Sequence, residues 1–96
     1  MEQLSNIKNQ LLRLKPELKE RFHVETIGLF GSVVRGDFTS LSDVDIIVDF
    51  DQPVGIEFIA FAEYIEAQIR RKVDLVSKKG IKKKYLDVIQ GDILYV

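Results

Sequence analysis

The stretch best equipped for chemistry is Gly31-Ser32-Val33-Val34-Arg35-Gly36, followed after a short loop by Ser42-Asp43-Val44-Asp45. Side chains on a strand alternate between faces, so Asp43 and Asp45 share one face while Val44 and Ile46 point into a core. Two carboxylates side by side repel unless a cation or a proton lies between them. Their hard oxygens suit Mg²⁺ or Mn²⁺ and offer zinc neither nitrogen nor sulfur. A third acid, Asp74, sits inside the otherwise apolar run Val73-Asp74-Leu75-Val76, where burial without a partner would be costly. If its strand lies beside that of Asp43 and Asp45, three carboxylates converge. Three can hold two divalent ions, the arrangement that serves in-line phosphoryl and nucleotidyl displacement.

The Gly31-Ser32 turn fits the same chemistry. A strand running into a helical turn exposes backbone N–H groups, and glycine lets a phosphate approach closely. Ser32 adds a hydroxyl donor. Arg35 has two readings of equal standing: contact with a phosphate oxygen, or a lock on the following loop through Asp37. Gly31 and Gly36 have the glycine spacing of a P-loop, but Asp37 and Phe38 stand where Lys and Ser/Thr belong, which argues against that class. Apolar residues after Asp45 likewise exclude an EF-hand.

These residues need elements to position them. Leu4, Ile7, Leu11, Leu12 and Leu14 recur at helical spacing, and Pro16 predicts a break, with a second helical piece to Phe22. Val24 to Phe30 reads as a strand, Val33 to Gly36 as a helical turn, and Asp43 to Phe50 as a second strand. Ile56 to Arg71 reads as a long helix with Phe58, Phe61, Ala62, Ile65 and Ile69 facing the core. Its surplus apolar residues, Ile56, Ile59, Ala60 and Ala67, are expected to be absorbed by a wide core stripe; a binding patch is the alternative. Val73 to Val76, Ile81 to Gln90 and Ile93 to Val96 complete the pattern as strand, helix and strand. The alternation predicts an α/β (α+β) fold, a small mixed sheet flanked by helices, in one domain over residues 1–96.

Composition narrows the function classes. The 14 Lys and Arg against 15 Asp and Glu, net charge −1, argue against a nonspecific grip on nucleic acid, which needs a basic surface. With no cysteine, disulfide scaffolds, thiolate zinc sites and cysteine nucleophiles are excluded. No signal peptide and no membrane-length apolar run is evident, so a cytoplasmic location is expected. His23, away from the motif, reads as a surface or capping residue, and Asp49 and Asp51, at the exit of the second strand, as ordinary solvated residues. The run Lys78, Lys79, Lys82, Lys83 and Lys84 reads mainly as a solvated face, of which one or two members could meet triphosphate or an acidic partner.

The Gly-Ser turn, the Arg35-Gly36 pair, Asp43-x-Asp45 and the later strand acid together resemble the signature of the polymerase-beta-type nucleotidyltransferase superfamily. The small size is similar to its minimal branch, the antitoxin partners of HEPN toxins. The resemblance runs from about Val24 to Val76; Val34, where the family commonly has Ala, departs from it behind the turn rather than at a ligand. It implies that Asp43 and Asp45 bind two Mg²⁺ ions and that Asp74 completes the site of one of them. It also implies that Gly31, Ser32 and Arg35 lie at the nucleotide, that ATP is the AMP donor, and that a tyrosine of a HEPN toxin is the acceptor.

Alternatives stay open on the residues themselves. Asp43 and Asp45 could be solvated strand-entry residues, and Asp74 could face solvent or pair with Arg71 or Lys72. At the level of function, a non-enzymatic antitoxin that occludes its partner, or transfer to a small molecule or RNA, stands beside protein adenylylation. Homo- or hetero-oligomer formation is equally open.

Overall fold

The computed structural model describes residues 2–96; Met1, which the expected domain 1–96 includes, lies outside the described residues. The elements in chain order are α1 (Glu2–Phe22), β1 (Val24–Phe30), α2 (Ser32–Arg35), β2 (Val44–Phe50), α3 (Glu57–Ile69), β3 (Val73–Ser77), α4 (Lys83–Ile89), a 3₁₀ turn (Gln90–Asp92) and β4 (Leu94–Tyr95). The four strands form one mixed sheet in the order β3-β2-β1-β4. The pair β1–β2 is antiparallel, as is β1–β4, while β2–β3 is parallel. A parallel pair needs a crossover, and α3 supplies it. The expected mixed sheet flanked by helices is what the chain forms.

One face of the sheet carries the core. Along β2, Val44, Ile46, Val48 and Phe50 are buried at alternate positions and join one cluster with Ile27 and Leu29 of β1, Ile7, Leu11 and Leu18 of α1, and Phe61, Ile65 and Ile69 of α3. Phe61 is the hub: its ring stands 5.2 Å from Phe22 and 5.5 Å from Phe50, both edge-on. Asp45, Ile47 and Asp49 therefore project from the opposite face. Ile47 is buried there outside the main cluster, and a Cβ at Gly28, its cross-strand partner, would press on Ile93 and Tyr95. The C-terminal segment lies over that part of the face.

Three expectations need correction. α1 runs unbroken through Pro16. Leu11 and Leu18, on either side of the proline, are both fully buried in the same core, and Pro16 itself is exposed. Packing on the inner stripe holds the helix together where local propensity would break it. In α3, Phe61, Ile65 and Ile69 are buried as expected, but Ile56 is 84% and Ile59 63% exposed, and Ala60 and Ala67 are exposed too. Helix 3 lies on the sheet by a narrow stripe, so the core does not absorb them. Asp49 is not an ordinary solvated residue: its side chain is 17% exposed and Lys79 Nζ stands 3.6 Å from its Oδ1.

Other anchors tie the ends together. His23, at φ 61°, closes α1 in the left-handed conformation, and its carbonyl accepts from Asp51 N–H at 2.9 Å. Of the lysine run, Lys79 also donates to Phe50 O at 3.0 Å and Lys78 reaches the Tyr95 hydroxyl, while Lys82, Lys83 and Lys84 are exposed. Among the described residues, no helix is long and apolar enough to cross a membrane.

Candidate active site

The register of the parallel pair sets Asp45 directly beside Asp74. Asp45 is also the cross-strand partner of Phe30, so it stands next to the point where β1 gives way to the Gly31 turn. The fit there is close: a Cβ at position 31 would collide with the Asp45 Oδ2. Gly31 adopts φ 75° and ψ −147°, a conformation open in practice only to glycine, and this sharp exit starts α2 at Ser32. The Gly31 carbonyl accepts from Val34 N–H at 3.1 Å and Arg35 N–H at 3.0 Å, which leaves the N–H groups of Ser32 and Val33 ahead of any helical acceptor. Gly36, at φ 94°, ends α2 with its N–H on Ser32 O.

Electrostatics agree with this crowding. The Asp45 carboxyl is pushed above its ordinary value by burial first, then by the charges of Asp74 and Asp43, with Arg35 opposing; a hydrogen bond with Asp74 also favours the protonated acid. Asp45 is half-buried, whereas Asp43 and Asp74 are exposed, so the row opens to solvent. Asp43 lies one residue before β2 rather than within it, on the loop that follows α2. Among the described residues, no three acids are drawn together tightly enough to hold an ion as they stand. Asp45 and Asp74 are brought side by side, and Asp43 is near enough for its charge to act on Asp45.

The donor set fits a hard divalent cation all the same. It consists of carboxylate oxygens only, and the crowding that raises the Asp45 pKa is the strain that a cation would relieve. Ser32 is half-buried at the head of the turn. Arg35 is exposed, and its Nη2 lies 3.7 Å from Asp37 Oδ2. With both side chains more than half exposed, that pair is a weak lock and leaves the guanidinium free to exchange it for an anionic ligand.

Sequence reasoning missed the role of one residue. Arg71, read from sequence only as a conceivable partner for Asp74, instead donates from Nη2 to Thr39 O at 3.0 Å and Ser42 O at 3.1 Å, with its guanidinium 4.5 Å from the Phe38 ring centroid. Nothing local in the sequence signals this, because the contacts join residues about thirty apart and two of them are backbone carbonyls.

Comparison with known proteins gives the family and the fold. The profile of the nucleotidyltransferase domain matches residues 11–95. The protein adenylyltransferase MntA of Thermococcus cleftensis is 44% identical over 94 residues, covering 97% of this chain and 95% of that protein. Among solved structures, a toxin–antitoxin crystal structure with AMP-PNP shares the fold at a TM-score of 0.76 and 22% identity, over 91% of this chain and 69% of that one. The complex of tri-AMPylated Shewanella oneidensis HEPN toxin with its MNT antitoxin does so at 0.70 and 19%, over 96% of this chain and 70% of that one.

Proposed function

The chain belongs to the nucleotidyltransferase domain family and is a nucleotidyltransferase, and we propose that it moves AMP from ATP onto a tyrosine hydroxyl of a partner HEPN toxin and so acts as its antitoxin. The observation that carries the chemistry is the juxtaposition of Asp45 and Asp74 in register, with the Gly31 turn closed against Asp45. The name of the Thermococcus relative supports a protein as acceptor, and the AMP-PNP and AMPylated-toxin complexes support ATP and a HEPN partner.

In this reading Asp43 and Asp45 would hold two Mg²⁺ ions, and Asp74 would share one of them. The ions would supply positive charge for the phosphates and for the acceptor oxygen as it loses its proton. The chain's own residues do the positioning. Ser32 and the N–H groups beside Gly31 hold the β- and γ-phosphates, and Arg35 can leave Asp37 to meet the same oxygens. The acceptor hydroxyl oxygen then attacks the α-phosphorus in line: its proton passes to water at the open face of the row, the new O–P bond forms, the bond from the α-phosphorus to the oxygen bridging to the β-phosphate breaks, and pyrophosphate leaves. The open face of the acidic row leaves that approach free for a side chain offered by another protein.

The test is incubation of the chain with labelled ATP, Mg²⁺ and the HEPN partner, comparing the parent with Asp45→Asn. The partner should be labelled by the parent, and the variant should be slower by roughly 10²–10³-fold, the usual cost of losing one transition-state stabiliser. A partner that stays unlabelled yet is inhibited equally by both would instead establish neutralisation by occlusion.

A further inference from the structure

We infer that Arg71 is a positioning residue for the metal-binding row, fixing the place of Asp43 relative to Asp45 and Asp74; the inference rests on the reading of that row as a divalent-cation site. Asp43 is the one member of the row outside the sheet, at the end of an irregular loop from Asp37. That loop folds on itself: Thr39 N–H donates to Ser42 Oγ at 3.0 Å, Leu41 N–H to Thr39 Oγ1 at 3.2 Å, and Ser42 N–H to Thr39 O at 3.1 Å. These bonds shape the turn but do not attach it to the body of the protein. The Phe38 ring, packed against the core, anchors the start of the loop, and Arg71 anchors its far end, through the two carbonyls of Thr39 and Ser42 with its guanidinium over the Phe38 ring. The second of those carbonyls belongs to the residue immediately before Asp43.

Arg71 is itself held firmly. The preceding Arg70 ends α3 at φ 57°, its N–H on Glu66 O at 2.8 Å. The Glu66 carboxylate accepts from Val73 N–H at 2.9 Å, and Lys72 O accepts from Val44 N–H at 2.9 Å. Residues 70–73 thus form a bracket that joins the end of α3, the first residue of β3 and the first residue of β2. Asp43 and Asp74 each stand one residue from that bracket, Asp43 before Val44 and Asp74 after Val73. Without the Arg71 side chain, Asp45 and Asp74 keep their register through the sheet, while the Thr39–Ser42 turn that leads into Asp43 loses its two side-chain hydrogen bonds to the body of the protein. Arginine suits the task because a planar, always-charged group can serve two carbonyls with its edge while its face lies on an aromatic ring; lysine offers no such face.

The test compares the full-length parent with Arg71→Ala and Arg71→Lys for Mn²⁺ affinity in the presence of AMP-PNP, read by electron paramagnetic resonance, and for backbone hydrogen exchange over residues 37–43. Loss of groups that orient metal ligands costs affinity by about 10- to 100-fold. Arg71→Ala should weaken Mn²⁺ binding by that order and speed exchange in the loop, with kcat for transfer falling and KM for the acceptor held. Arg71→Lys should leave most of both losses in place. If Arg71→Ala proves too unstable to assay, Arg71→Lys carries the test alone. Unchanged Mn²⁺ affinity in the variants, with only the melting temperature lowered, would overturn the inference and leave the proposed site standing. A parent chain that binds no Mn²⁺ would remove both.

Discussion

A methyl group at position 31 would be driven into the Asp45 carboxylate, and the backbone there already sits at φ 75° and ψ −147°. The turn and the acid are therefore packed as one unit, and Asp45 has burial on one side and acids on the other. Its carboxyl is raised by burial first, then by Asp74 and Asp43. The direction fixes the sign of a pH effect. A carboxyl whose folded value lies above its unfolded value binds its proton more tightly in the folded chain, so its contribution to stability is greatest below 3.8 and is lost as pH rises through the folded value. At neutral pH the ionised Asp45 opposes folding in full. Asp45→Asn should therefore be more stable than the metal-free parent at pH 7, although it is the variant expected to lose transfer. The difference between their urea midpoints should open as pH rises from the acid side, level off above the folded value, and narrow when Mg²⁺ is added to the parent. A gap that does not change with pH would mean that the row carries no electrostatic strain.

At the scale of elements, α1 shows how far packing can override local preference. Pro16 removes one helical hydrogen bond and crowds the preceding turn, at a cost of about 3 kcal/mol in a helix interior. Its restriction of the unfolded chain returns about 0.4–1 kcal/mol. Because Pro16 is exposed, Pro16→Ala should fill no cavity and cause no clash, and a net gain of about 2 kcal/mol is expected in urea unfolding, with transfer activity unchanged. The helix break expected from sequence failed for the same reason: Leu11 and Leu18 were legible as helix residues, but their burial in a common core was not. Strands were easier to read, since Val44, Ile46 and Val48 alternate with Asp45 and Asp49 and announce both a face and an element. The acids of the site were legible for the same reason, because a carboxylate inside an apolar alternation has no place in a core. Their mutual approach was not: it depends on the parallel register of β2 on β3 across the α3 crossover, which long-range packing sets and local pattern does not encode. Arg71 was hidden more completely, since its partners are backbone groups and carry no residue type.

On the scale of the molecule, a chain of 96 residues with its buried residues in one main cluster gains modestly from burial, and domains of this class are stable by about 5–15 kcal/mol. Against so small a margin, a ligand that binds only the folded state is a large perturbation. Here its effect should be sharpened by the site, because the ionised Asp45 opposes folding until a cation offsets its charge. At a hundredfold excess over the dissociation constant, binding adds about 2.7 kcal/mol. A domain of this size shifts by about 4–8 °C per kcal/mol, so Mg²⁺ with AMP-PNP should raise the melting temperature by roughly 10–20 °C. Mg²⁺ alone should give part of that shift, AMP-PNP with a chelator little of it, and Asp45→Asn almost none. The same scan separates the two ways the chain could neutralise a partner. If neither ligand moves the parent's melting temperature, the row holds no metal–nucleotide complex, and inhibition of a partner would have to rest on contact alone, for which the exposed Ile56, Ile59, Tyr85 and Val88 would be the first residues to substitute.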